Sequence, residues 1–171
     1  TAGMNRMELT IEALKNFADS IKGHDGTVNI ALVDFSTSAT RWTLDNVTGT
    51  NVNQLIAKIN ALKATGGTNY EAAFDSAVQW FNDKGAEQQT DGATFENLTY
   101  FLTDGDPTFY VNGNSTGGTG NSTTYDTFKH SVDSFAELSA KSSVHAIGVG
   151  NDVNDNYLKF FDNTSTTGTG F

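Results

Sequence analysis

The sequence predicts an α/β domain in three layers, a mostly parallel sheet with helices on both faces. Two observations carry this. Apolar residues recur at helical spacing in four separate segments, and short runs of almost continuous apolar character alternate with them. Strands of that second kind are buried on both faces, as in a sheet covered by helices. The length of 171 residues suits one domain with a substantial core.

In chain order, Met7, Ile11, Leu14, Ala18 and Ile21 share one face of a helix spanning Arg6 to Lys22, which Gly23 and Gly26 end. "VNIALVDF", Val28 to Phe35, is a buried strand. "ATRWTL" is a shorter and more polar strand nearer an edge. Val52, Leu55, Ile56, Ile59 and Leu62 mark a second helix, and Tyr70, Phe74, Ala77, Val78 and Phe81 a third. "LTYFLTD", Leu98 to Asp104, is a core strand that runs out in a carboxylate. Phe128, Val132, Phe135 and Leu138 mark a fourth helix, "VHAIGVG" a further buried strand, and Asp155 to Phe161 a short helix. The Gly-, Ser- and Thr-rich stretch 112–124 has no apolar period. It is expected as a low-complexity surface insertion, and removal of Asn114 to Asn121 is expected to leave folding unchanged.

Composition narrows the function. Ten Lys and Arg against twenty Asp and Glu give a formal net charge of -10. That opposes binding to nucleic acid or to anionic lipid, and it suits a binder of cations. With no cysteine there is neither a disulfide nor a thiolate metal site. No apolar run is long enough to span a bilayer as a helix, and no leader pattern is evident.

In open α/β sheets, ligands bind at the carboxyl ends of strands. That rim collects the loop after Asp34, the turn at Asp104–Thr108 and the exit at Gly150. "ATGGTNYEAAF" adds Gly66, Gly67 and Thr68 at a helix entrance. "TNYE" fits a capping box with Thr68 as N-cap and Glu71 as its partner. Taken alone, the cap is the preferred reading, although a Thr could cap in one state and ligate in another. Asp104 reads as a turn residue before Gly105 or as a carboxylate on the rim, and Asp106 as a solvated turn residue. No HExxH, GxSxG or phosphate-loop pattern occurs, and no histidine pairs with Ser36 or Ser38, so a nucleophilic enzyme is poorly supported. "GNDVNDNYL" lacks the central Gly and final Glu of an EF-hand loop.

Taken in order, "RMELTIEALKNFADSI", "ATGGTNYEAAF", "FLTDGDPT" and "VHAIGVG" resemble the von Willebrand factor type A (vWA) domain over most of the chain. The resemblance implies a Rossmann-like α/β fold and a binding module rather than an enzyme. It further implies a metal-ion-dependent adhesion site, in which Thr68 matches the family's Thr and Asp104 its Asp, with Gly66 and Gly67 supporting the loop. The family's D-x-S-x-S motif is absent from this chain. "TAGMNRMEL" looks like the continuation of that motif. The first, central strand is therefore expected to be missing, and the single domain, 1–171, to be truncated at both ends.

Oxygen ligands of this kind suit Mg²⁺, Ca²⁺ or Mn²⁺. The implied partner is a protein or surface offering a carboxylate or other oxygen. The composition, rich in Asp, Asn, Thr and Gly with one Pro and no Cys, looks like that of large bacterial RTX adhesins. Neighbouring adhesin domains and an extracellular or cell-surface location would follow. The alternatives are a structural spacer within a long adhesin and, lower, a metal-assisted hydrolase.

Overall fold

The computed structural model describes residues 4–92 and 94–164. The expectation of truncated ends concerns residues 1–3 and 165–171, outside those described. The elements follow in order α1 (Arg6–Ile21), β1 (Ile30–Phe35), β2 (Ala39–Leu44), α2 (Val52–Asn60), α3 (Tyr70–Asp91), β3 (Leu98–Thr103), β4 (Phe109–Asn112), β5 (Ser115–Gly118), α4 (Tyr125–Ser139), β6 (Ser143–Gly148) and α5 (Asp155–Leu158), which runs into a 3₁₀ turn at Lys159–Phe161.

A true capping box opens α1. The Asn5 side chain accepts the Glu8 N–H at 2.9 Å, and Glu8 Oε2 accepts the Asn5 N–H at 2.8 Å. Thr124 caps α4 through the Thr127 N–H. Helix α3 continues ten residues past the last apolar position read from its sequence, Phe81. Its polar end is held by Lys84, whose ammonium lies 2.8 Å from both Asp45 and Glu87.

The strands form three separate ladders: β1 with β2 antiparallel, β3 with β6 parallel, and β4 with β5 antiparallel. The three residues Ser36–Ser38 join β1 to β2, and a crossover to a parallel neighbour needs a dozen or more. Among the described residues, β1–β2 and β3–β6 share no hydrogen bonds. The sheet is thus divided between the two pairs. Side chains span it: the Phe35 and Phe101 rings stack with centroids 5.8 Å apart.

Two apolar cores result. In one, Tyr70, Phe74, Phe81, Phe101, Phe135, Leu138, Val144 and Phe161 are buried between α3, α4 and the β3–β6 pair. In the other, Ala18, Val52, Leu55 and Ile59 pack with Ile30, Leu32 and Trp42 under α1 and α2. Strand β1 serves both, with Ile30 and Leu32 toward the second core and Phe35 toward the first.

Segment 112–124 is largely exposed, but it is not a structureless loop. It contributes β5 through a two-residue turn at Gly113–Asn114, and Gly113 has φ +60° there. Gly117 lies against the Tyr110 ring and Gly120 against Phe109, each too close for a Cβ. The expectation of neutral removal therefore needs correction. Deleting residues 114–121 strips β4 of its partner and uncovers two aromatic rings. We expect a loss of at least about 1 kcal/mol, read as a melting temperature lower by roughly 2–4 °C per kcal/mol for a chain of this length. An unchanged melting curve would show that the hairpin contributes nothing to stability.

Candidate functional site

Thr68 sits where three loops meet. The Asn69 N–H donates to the Ser36 carbonyl at 2.8 Å, and the Gly67 N–H to Thr37 Oγ1 at 3.3 Å. From the other side, the N–H groups of Thr108 and Phe109 donate to the Thr68 carbonyl at 2.8 and 3.0 Å, and the Thr68 N–H donates to Thr108 Oγ1 at 3.1 Å. Both backbone polar groups of Thr68 are thus held by the segment that follows the Asp104 turn.

The sequence offered Thr68 as the cap of α3, and the structure assigns that task to its neighbour. Asn69 Oδ1 accepts the Ala72 N–H at 3.0 Å, which satisfies one of the free donors of the first turn. The other half of the expected box is also absent. Glu71 Oε2 accepts the Val111 N–H at 2.6 Å, and Oε1 meets His130 Nδ1 at 3.1 Å. Among the described residues the Thr68 hydroxyl makes no hydrogen bond of its own. It lies beside the Asp104 turn, where a Cβ placed on Gly105 would stand 3.7 Å from Thr68 Oγ1.

The two glycines have separate reasons. Gly66 has φ +75°, a left-handed conformation that costs a side-chain-bearing residue about 1 kcal/mol or more. At Gly67 the constraint is space: a Cβ there would come within 2.3 Å of Phe109 Cε2.

Asp104 is exposed at the end of β3. Its turn is fastened from below, where the Gly105 carbonyl accepts the Tyr70 hydroxyl at 2.6 Å and the Thr103 hydroxyl at 2.8 Å. Burial, with the nearby Asp106 and Asp104 charges adding to it, pushes the Tyr70 phenol far up, so it stays a donor. Asp106 also has a structural bond: its Oδ1 accepts the Asn154 N–H at 2.9 Å and ties the turn to the start of α5. Arg6 reaches over from α1, donates to the Asp104 carbonyl at 3.3 Å and pairs with Asp152. The parts that Tyr70, Thr108, Phe109 and Arg6 play in holding this region escaped the sequence reading. Only the position of Thr108, just after the buried Pro107, offered a signal.

The arrangement offers one unengaged hydroxyl and one exposed carboxylate on adjacent loops at the carboxyl ends of β1 and β3. The profile of the von Willebrand factor type A domain matches residues 2–169. The chain belongs to that family. Over 105 residues it is 33% identical to inter-alpha-trypsin inhibitor heavy chain H4 of Homo sapiens, covering 60% of this chain and 11% of that protein. The same protein of Bos taurus matches to the same extent. The chain thus spans about one ninth of the length of these relatives. vWA domains typically mediate protein–protein interaction, often through a divalent cation, rather than catalysis.

The residues present fit such a cation in kind. The donors are a hydroxyl and a carboxylate, both oxygen, and the hydroxyl has no competing partner among the described residues. They are few: among the described residues no group of three or more His, Asp or Glu gathers to hold a metal.

A second polar region lies between α3 and α4, a groove of about 520 Å³ lined by Glu71, Asp75, His130, Asp133, Ser134 and Glu137 among others. The Ser134 hydroxyl donates to Asp75, and its residue is buried. Desolvation raises the Asp75 carboxyl above its usual range, helped by Glu71 and Glu137 and opposed by the Ser134 bond. A raised folded-state value means that the folded chain holds this proton more tightly. Protonation of Asp75 therefore supports the fold below the ordinary carboxylate range, and that support is lost as pH rises through the raised value. Asp75→Asn keeps an oxygen for Ser134 and removes the charge. We expect its thermal midpoint to exceed that of wild type at pH 7, with the difference closing on acidification. A variant less stable at every pH would show that the Asp75 charge favours the fold.

Proposed function

We propose that this vWA domain binds a protein or surface ligand through a divalent cation held at Thr68 and Asp104. The observation that carries the reading is the Thr68 hydroxyl, which is excused from capping by Asn69, free of partners among the described residues, and set beside the Asp104 turn. Bound there, Mg²⁺, Ca²⁺ or Mn²⁺ would supply a Lewis-acidic position open to a carboxylate or other oxygen of the partner. Thr68 offers its hydroxyl oxygen without rearrangement because both of its backbone polar groups are already fixed. Asp104 offers a carboxylate whose turn is anchored by Tyr70, Thr103 and Arg6, so the side chain can move while its backbone does not. With two donors, most of the coordination shell falls to water and the partner, and affinity in the isolated chain is expected to be weak.

An extracellular or bacterial surface adhesin is the setting we propose. The acidic, cysteine-free, Asn- and Thr-rich composition supports it, since calcium is plentiful there.

The test is the shift in melting temperature on adding each cation, because a ligand of the native state stabilises in proportion to RT ln(1 + [L]/Kd). Wild type should gain with at least one of Mg²⁺, Ca²⁺ or Mn²⁺. Thr68→Ala and Asp104→Ala should each lose most of that gain. Equal gains in all three proteins would remove the site from these residues.

A further inference from the structure

The β4–β5 hairpin is bound to the Thr68 segment at two points, and the second of them is a side chain. In an antiparallel pair, alternate residues turn their N–H groups away from the partner strand. In β4 these are Phe109 and Val111, and neither faces solvent unpaired. Phe109 donates to the Thr68 carbonyl and Val111 to Glu71 Oε2. Residues 68–71 therefore take the place of a further strand along the outer edge of β4, with the Glu71 carboxylate standing in for a backbone acceptor. Its other oxygen engages His130, whose ring stacks on Tyr110 at 4.4 Å between centroids. The Glu71 side chain is only 15% exposed. One carboxylate thus joins α3, α4 and the hairpin in a closed ring that returns to the Thr68 backbone.

We propose that Glu71 is a positioning residue for Thr68, acting through the hairpin. It fixes Val111, which fixes the register of Thr108 and Phe109, whose N–H groups and hydroxyl hold the Thr68 backbone and so aim its hydroxyl. The proposal rests on the cation-binding reading for its purpose, but not for its geometry. The hairpin becomes part of the binding apparatus, and the tip of the 112–124 segment is mechanically linked to the donor loop.

The test reads the metal-free chain first. Amide hydrogen exchange at Thr68, whose N–H bonds Thr108 Oγ1, should quicken at least tenfold in Glu71→Ala, while Phe101 in β3 keeps its wild-type rate. Val111→Pro removes the donor and leaves Glu71 in place, and it should do the same. Glu71→Gln keeps an oxygen for Val111 and should stay within about twofold of wild type. The cation-induced melting shift is then measured in the same proteins with Mg²⁺, and it should fall in Glu71→Ala and Val111→Pro but not in Glu71→Gln. Should Glu71→Ala not fold, Val111→Pro carries the comparison. Unchanged Thr68 exchange in the folded variants would overturn the proposal. If Thr68 exchange responds but wild type shows no cation shift at all, the binding reading falls and the positioning role stands.

Discussion

Phe161→Ala is expected to cost about 3–5 kcal/mol, the range for an aromatic removed from a fully enclosed site. The side chain is completely buried in the 3₁₀ turn that follows α5. Its ring meets Tyr70, Phe74, Phe128, Phe135 and Phe101 with centroid separations of 5.1, 5.6, 5.8, 5.7 and 6.3 Å. These neighbours come from α3, α4 and β3, so no single element can shift to close the void. A domain of this size has roughly 5–15 kcal/mol in total, and the variant would stand near the margin of folding. Urea denaturation followed by intrinsic fluorescence measures it. Phe161→Leu, which leaves a smaller cavity, should lose clearly less. A cost below about 1 kcal/mol for the alanine variant would mean that the turn does not close this core.

Gly67→Ala is the second large effect. The new Cβ would fall 2.3 Å from Cε2 and 2.5 Å from Cδ2 of Phe109, and 3.2 Å from Thr108 Oγ1. The ring has little freedom to withdraw, because it also rests against Gly120, where a Cβ would come within 2.7 Å. Overpacking of this kind costs about 1–3 kcal/mol. The same displacement would move the Thr68 carbonyl off the N–H groups of Thr108 and Phe109, so the cation response should fall together with stability. In the double variant Gly67→Ala/Phe109→Ala the clash is gone, and the combined loss should be smaller than the sum of the single losses. Simple additivity would show that the ring and the glycine do not press on each other.

The layering was largely legible because both of its signals are periodic. Ala39–Leu44 is a strand with the bounds read from its residues, and Ile30–Phe35 differs from its reading by two positions at one end. Where period gave out, so did the reading. Helix α3 extends beyond Phe81 on polar residues held by the Lys84 ion pairs, which no hydrophobic spacing announces. The β4–β5 hairpin was obscured by composition, since Gly117 and Gly120 look like linker residues until Tyr110 and Phe109 are seen lying on them. Thr68 and Asp104 were singled out through the motif, and their loops lie side by side in the structure. The sequence misjudged the capping of α3, because Thr68 and Asn69 are both good caps and only the tertiary bonds of Thr108 decide between them. Glu71 was misassigned for the same reason, as its partners lie 40 and 59 residues away.

The two cores, which share no ladder among the described residues, carry a kinetic consequence. Cooperativity in a continuous sheet is transmitted by its hydrogen bonds, whereas here the β1–β2 half and the β3–β6 half communicate through side-chain contacts, among them Phe35 on Tyr70 and Phe101, Phe17 of α1 on Tyr100 and Arg6 on the Asp104 turn, and through α3. Under native conditions each half should therefore open as its own unit, and amide protons of Leu32 and Trp42 should exchange with a free energy different from those of Phe101 and Ala146. The candidate cation donors both lie in loops that touch the seam. A ligand bridging Thr68 and Asp104 would slow the opening of both halves at once and bring their exchange rates together, which makes the molecule's breathing a direct reporter of what binds at its rim.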